Sequence, residues 1–163
     1  MENYINLFTD CVLSNKWSGT PLEKYAAMAP KQKGSFSEGV IKQILEDLGH
    51  TIEVSSNVGH DFVLDGIKTE LKFGLATDRN TNWRTMFNHI GLDKDWDQII
   101  FACINGDLKF RIVVIKKDKL SEDLLKHQQG GNKSGNDDYM ITGSKAREAL
   151  FDSNAEVLYT NEL

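Results

Sequence analysis

The stretch GHDFVLDGIKTELKFG, Gly59 to Gly74, decides the fold. Two short apolar runs, His60–Leu64 and Ile67–Phe73, flank Asp65-Gly66. Asp-Gly between alternating apolar residues is a strong two-residue hairpin signal, because the favoured turn needs positive φ at both central positions. That turn sets a register in which Leu64 pairs with Ile67, Val63 with Lys68, Phe62 with Thr69 and Asp61 with Glu70. Opposed residues share a face, and strand alternation adds Lys72 to the face of Asp61 and Glu70. Phe62, Leu64, Ile67, Leu71 and Phe73 take the other face, which reads as core.

Two directly opposed carboxylates repel and weaken a sheet. A divalent cation between them reverses that cost. Mg²⁺ suits hard oxygen ligands and takes one or two protein carboxylates while keeping several waters. Lys72 would then stand beside a scissile phosphate or help orient a water. A solvated face, with Lys68 and Lys72 pairing the acids, accounts for the same letters.

Working outward, Tyr4, Ile5, Phe8, Cys11 and Val12 sit at helical spacing over residues 3–13. Thr20-Pro21-Leu22-Glu23 predicts a helix over about 21–29, and Ser35 to about Leu48 a third, with Val40, Ile41, Ile44, Leu45 and Leu48 as its stripe. Thr51–Ser55 precedes the hairpin as a strand. Asn82–Ile90 reads as a helix, Gln98–Ile104 and Leu108–Ile115 as strands, and 119–126 as a short helix. A polar, glycine-rich loop follows, then a helix at 144–151 and a strand at 156–160. Helices, three strands, a helix and more strands make a mixed α/β architecture.

An acid, a short gap and Glu-x-Lys on the next strand resembles the PD-(D/E)xK nuclease superfamily. The motif here is His60-Asp61 followed by Glu70-Leu71-Lys72, with histidine where the family name has proline. Lys33-Gly34-Ser35-Phe36-Ser37-Glu38 resembles the family's Lys-Gly-x-x-x-Glu on the preceding helix. The resemblance covers about residues 35–104 and implies a restriction-endonuclease-like core, a mixed central β-sheet flanked by α-helices in the order α-βββ-α-β. It implies Mg²⁺, with Mn²⁺ able to substitute, held by Asp61, Glu70 and the Leu71 carbonyl. Lys72 would position or activate the attacking water, and Glu38 would bind a second metal or its water shell. Ser35-Phe36-Ser37-Glu38 is also a capping box, which leaves Glu38 with two readings.

Lys31, Lys33, Ser35 and Ser37 could hold phosphate near the helix start. Asn82, Arg84, Asn88 and His89 could meet DNA, with an ordinary polar helix face as the plain alternative. Gln128, Gln129, Asn132, Lys133 and Ser134 lie in an amide-rich loop that could read base edges, or could simply be a flexible connection. No zinc spacing, Walker loop or G-x-S-x-G occurs.

The chain has 163 residues, 40% hydrophobic and 26% charged, as an ordinary globular domain does. We expect one nuclease domain over 1–163, with a core at about 31–116 and the segments 1–30 and 117–163 added for oligomerisation or DNA recognition. No apolar run approaches the roughly 18 residues that span a bilayer, and no signal peptide opens the chain. Cys11 and Cys103 read as buried reduced thiols, which fits a cytoplasmic protein. The net charge of −5 argues weakly against a nucleic-acid partner, though local basic patches can still bind phosphate.

The leading expectation is a Mg²⁺-dependent endonuclease on double-stranded DNA, of sequence-specific type II restriction type. One active site cuts one strand, so a homodimer or higher homo-oligomer is expected. A homing endonuclease or a Holliday-junction resolvase is the alternative within the class. A catalytically silent DNA-binding module on the same fold is the alternative outside it.

Overall fold

A computed structural model describes residues 15–56, 58–128 and 138–162. The helix expected over 3–13, and with it Cys11, lies outside these residues, as do Gln129, Asn132, Lys133 and Ser134.

The order of elements is α1 (Glu23–Ala26), α2 (Pro30–Asp47), β1 (Ile52–Val54), β2 (Phe62–Leu64), β3 (Ile67–Leu75), β4 (Thr85–Gly91), β5 (Gln98–Ile104), β6 (Phe110–Lys116), β7 (Lys126–His127), β8 (Asp138–Gly143), α3 (Ser144–Leu150) and β9 (Glu156–Thr160). A six-stranded sheet runs β1-β2-β3-β5-β6-β9, and a three-stranded sheet runs β4-β8-β7. The hairpin has the expected register, with Phe62 opposite Thr69, Val63 opposite Lys68 and Leu64 opposite Ile67. Asp65 and Gly66 both take the positive φ the turn requires, at 50° and 82°. The pair β3–β5 is parallel and the other neighbours are antiparallel, so the large sheet is mixed.

The large sheet is covered on both faces. Ile41 and Leu45 of α2 pack on Phe62, Leu64, Leu71, Ile100, Ala102, Ile112 and Val114. On the other face Phe87, Ile90, Ile141 and the α3 residues Ala146, Ala149 and Leu150 meet Ile99, Phe101, Cys103, Val113 and Ile115. Burying each such side chain contributes about 1.5–3 kcal/mol, so this two-sided cover holds β3 and β5 rigid. Among the described residues no helix is long and apolar enough to cross a membrane.

Four local expectations are corrected. In place of the helix expected over 82–90, strand β4 runs Thr85–Gly91. Trp83, Thr85 and Phe87 are buried while Arg84 and Met86 are exposed, a period of two that packs β4 on the sheet. Helix α2 begins at Pro30, not Ser35, because proline at the first helical position is preset for the helix and Gln32 accepts the Ala29 N–H. Val40 and Leu48 of its expected stripe are exposed. Residues 119–126 form 3-10 turns at Lys117–Lys119 and Glu122–Leu124, and the second expected helix shrinks to the single turn α1. The polar segment after them is flanked by the paired strands β7 and β8.

Candidate functional site

β3 runs from 67 to 75 while its partner β2 covers only 62–64, so β3 extends beyond β2 on that edge. Asp61 closes the gap: its N–H bonds the Thr69 carbonyl at 3.0 Å, and its Oδ2 accepts the Leu71 N–H at 2.8 Å. The part of β3 beyond the end of β2, from Leu71 to Leu75, lines an open cleft of about 670 Å³. Lys33, Ser37 and Glu38 of α2 form one wall, and Thr85 to Asn88 of β4 the other. Gly74 lets the walls close in, since a Cβ there would fall 2.4 Å from Thr85 Oγ1.

The acids and the lysine come together. Glu70 is buried, and Lys72 Nζ stands 2.6 Å from its Oε1. Asp61 lies close enough to feel Glu70, Lys72 and Glu38. Its pKa is raised, first by burial and then by the charge of Glu70; the Leu71 N–H and Lys72 oppose the rise, and Glu38 adds to it. The carboxylates therefore sit in mutual repulsion that one internal ammonium only partly offsets. Two hard oxygen donors short of positive charge fit a divalent cation such as Mg²⁺. Among the described residues, no group of three or more His, Cys, Asp or Glu side chains is gathered tightly enough to hold a metal.

Glu38 is not the cap of its helix. With the start at Pro30, Glu38 lies three residues before buried Ile41, lines the cleft and pairs with Lys42 at 2.5 Å. Lys31 and Ser35 are exposed on the first turns of α2, and Lys33 lines the cleft. Ser37 is buried and donates to the Lys33 carbonyl at 2.8 Å. His60, at the position of the family's proline, is buried with Nδ1 3.0 Å from the Asp95 carbonyl.

The segment expected to meet DNA is split by the fold. Asn82 and Arg84 are exposed on a loop braced by Asn80, whose Oδ1 accepts both their N–H groups at 3.0 Å. Its Nδ2 donates to the Thr77 and Arg84 carbonyls at 2.7 Å. Asn88 lines the cleft, whereas exposed His89 pairs with Asp138 at 3.0 Å. Gln128 accepts the His89 N–H at 2.9 Å, which ties it to β4. Sequence reasoning missed Tyr25, whose ring meets Phe73 edge-on at 5.5 Å and lines the cleft beside Lys33. It also missed Lys42 and the brace at Asn80. An i, i+4 search from Glu38 finds Lys42; Asn80 acts locally, on groups from Thr77 to Arg84, and Tyr25 is brought in by its tertiary contact with Phe73.

Neither protein-family models nor curated protein sequences give a match to this chain. Among solved structures it is similar to a restriction endonuclease in complex with substrate DNA, at a TM-score of 0.51 and 15% identity. The likeness covers 95% of this chain and 78% of that one. The mixed sheet with few helices is thus a restriction-endonuclease-like α/β fold.

Proposed function

We propose that this chain is a divalent-metal-dependent DNA endonuclease of sequence-specific, type II restriction kind. One observation carries the reading: Asp61 and Lys72 line an open cleft at β3, with buried Glu70 directly behind, paired with Lys72 and close enough to raise the Asp61 pKa. The restriction-endonuclease-like fold supports it, and a neighbour of that fold has DNA bound. Asp61 and Glu70, with the Leu71 carbonyl, would hold Mg²⁺, with Mn²⁺ as a substitute; the PD-(D/E)xK assignment rests on these positions. When bound, the ion supplies positive charge to the phosphate and lowers the pKa of water.

The chain's own groups do the rest. Lys72, anchored beside Glu70, places an ammonium where charge develops on the phosphate. Asp61 is fixed by the Leu71 N–H, so little ordering remains to be done when substrate arrives. Lys33 lines the wall and can neutralise a neighbouring phosphate. Glu38, tied to Lys42, modulates the charge of the cleft from its rim, which favours a one-ion site. Cutting both strands of double-stranded DNA calls for a homodimer.

Supercoiled plasmid with Mg²⁺ tests this. Wild type should nick or linearise it, and Lys72→Ala should lower the rate by about 10²–10³-fold, the usual cost of removing one group that stabilises developing charge. Sequencing the ends should return one fixed site. DNA retention without cutting in Mg²⁺ or Mn²⁺ would leave a silent binding module, and branch-dependent cutting would mean a resolvase.

A further inference from the structure

Strand β4 breaks its pairing with β8 between Phe87 and Ile90. The residue pair in the break is unusual. His89 has φ of 55°, in the left-handed region that only a few per cent of non-glycine residues occupy, His more readily than most. Asn88, beside it, keeps a buried Oδ1 with no hydrogen-bond partner, the sole such side-chain atom among the described residues. Both features fall on one dipeptide, and its Asn88 stands in the wall of the cleft that holds Asp61 and Lys72. β-bulges re-aim side chains and concentrate near active sites. This one is braced from behind, by Gln128 on the His89 N–H and by Asp138 on the His89 ring. The brace leaves Asn88 on the cleft side and His89 away from it.

We propose that Asn88 is a substrate-contacting residue whose carboxamide donates to a backbone phosphate of the nucleic-acid strand in the cleft. The proposal rests on the nuclease reading above and adds a contact to it. The observations favour a phosphate over a base edge, because Asn88 shares its cleft with Lys33 and Lys72, cations suited to the backbone. A hydrogen bond to a charged oxygen is about twice as strong as a neutral one, which draws the amide out of its dry position. Turning outward also brings Oδ1 to water, which satisfies it.

The test is Asn88→Leu, a near-isosteric change that removes both amide groups, with Asn88→Ser as a variant that keeps a donor. The expected result has two parts: Tm in EDTA rises above wild type, because the orphaned oxygen is gone, and single-turnover plasmid cleavage falls at least tenfold. Asn88→Ser should recover part of that rate. Unchanged cleavage by Asn88→Leu would overturn the proposal, and so would a loss of rate accompanied by a lower Tm, which marks a packing role. A wild type that neither binds nor cuts DNA ends the nuclease reading itself, and this contact with it.

Discussion

Replacing Asp61 with asparagine should make the metal-free protein more stable while removing its response to divalent cations. Burial and Glu70 raise the Asp61 pKa above its ordinary value of 3.8, so the folded state disfavours the charged form. An acid shifted upward binds more protons folded than unfolded. Its contribution to stability is therefore fully present at low pH and is lost as pH rises through the raised folded value. Above that raised value the wild type carries the cost, and asparagine, which still offers an oxygen to the Leu71 N–H, does not. Directly opposed like charges in a sheet cost up to about 1 kcal/mol, which at this chain length corresponds to about 2–4 °C in Tm. Melting curves in EDTA should place Asp61→Asn higher by that amount, with the gap closing as pH falls below the raised value. In Mg²⁺ or Ca²⁺ the order should reverse. A ligand at about 100 times its Kd stabilises by about 2.7 kcal/mol, and only the wild type should gain it. If Asp61→Asn melts several degrees lower in EDTA, the carboxylate is a structural clasp for β3, and the strained cation site is refuted.

Three further outcomes follow from the packing. Gly106→Ala places a Cβ 1.9 Å from the Arg79 carbonyl oxygen, so it should displace the 77–84 loop and cost about 1–3 kcal/mol by chemical denaturation, with a smaller loss of stability counting against the loop's rigidity. Gln128→Ala removes the acceptor of the His89 N–H and should cost about 1 kcal/mol while weakening target preference at nearly constant Mg²⁺ dependence; equal cutting preferences in mutant and parent would deny the bulge a part in recognition. Cys103 is buried and its thiol is pushed up to about 12, so disulfide reagents at pH 8 should label it only as fast as the protein opens. Rapid labelling of the folded protein at Cys103 would contradict the two-sided cover of β5.

The candidate chemistry was legible because it lies in one hairpin. A two-residue turn and a period of two are local rules, and they sufficed to set the register from Leu64–Ile67 to Phe62–Thr69 and to bring Glu70 and Lys72 together on one side of β3; Asp61, just before β2, bonds the Thr69 carbonyl through its N–H. The start of α2 was also open to reading, from Ala29-Pro30, but the capping-box pattern Ser35-Phe36-Ser37-Glu38 coincides with the later start expected at Ser35. The 82–90 segment went wrong for a physical reason. Its apolar residues Trp83, Met86, Phe87 and Ile90 fit a helical spacing, while Trp83, Thr85 and Phe87 fit a strand; burial against Phe101, at 4.8 Å from Phe87, chooses the strand.

By itself, then, the chain's letters determined the hairpin, its register, the acid pair with its lysine, and the apolar runs that become β5 and β6, all of which depend on neighbours within about ten residues. Tertiary structure alone decided that β3 pairs in parallel with β5, that Glu38 faces the cleft, and that Asn88 stands in the wall while His89 turns away. These depend on which surfaces meet across 20 residues or more of chain, where burial of a whole face outweighs the small preferences of single residues.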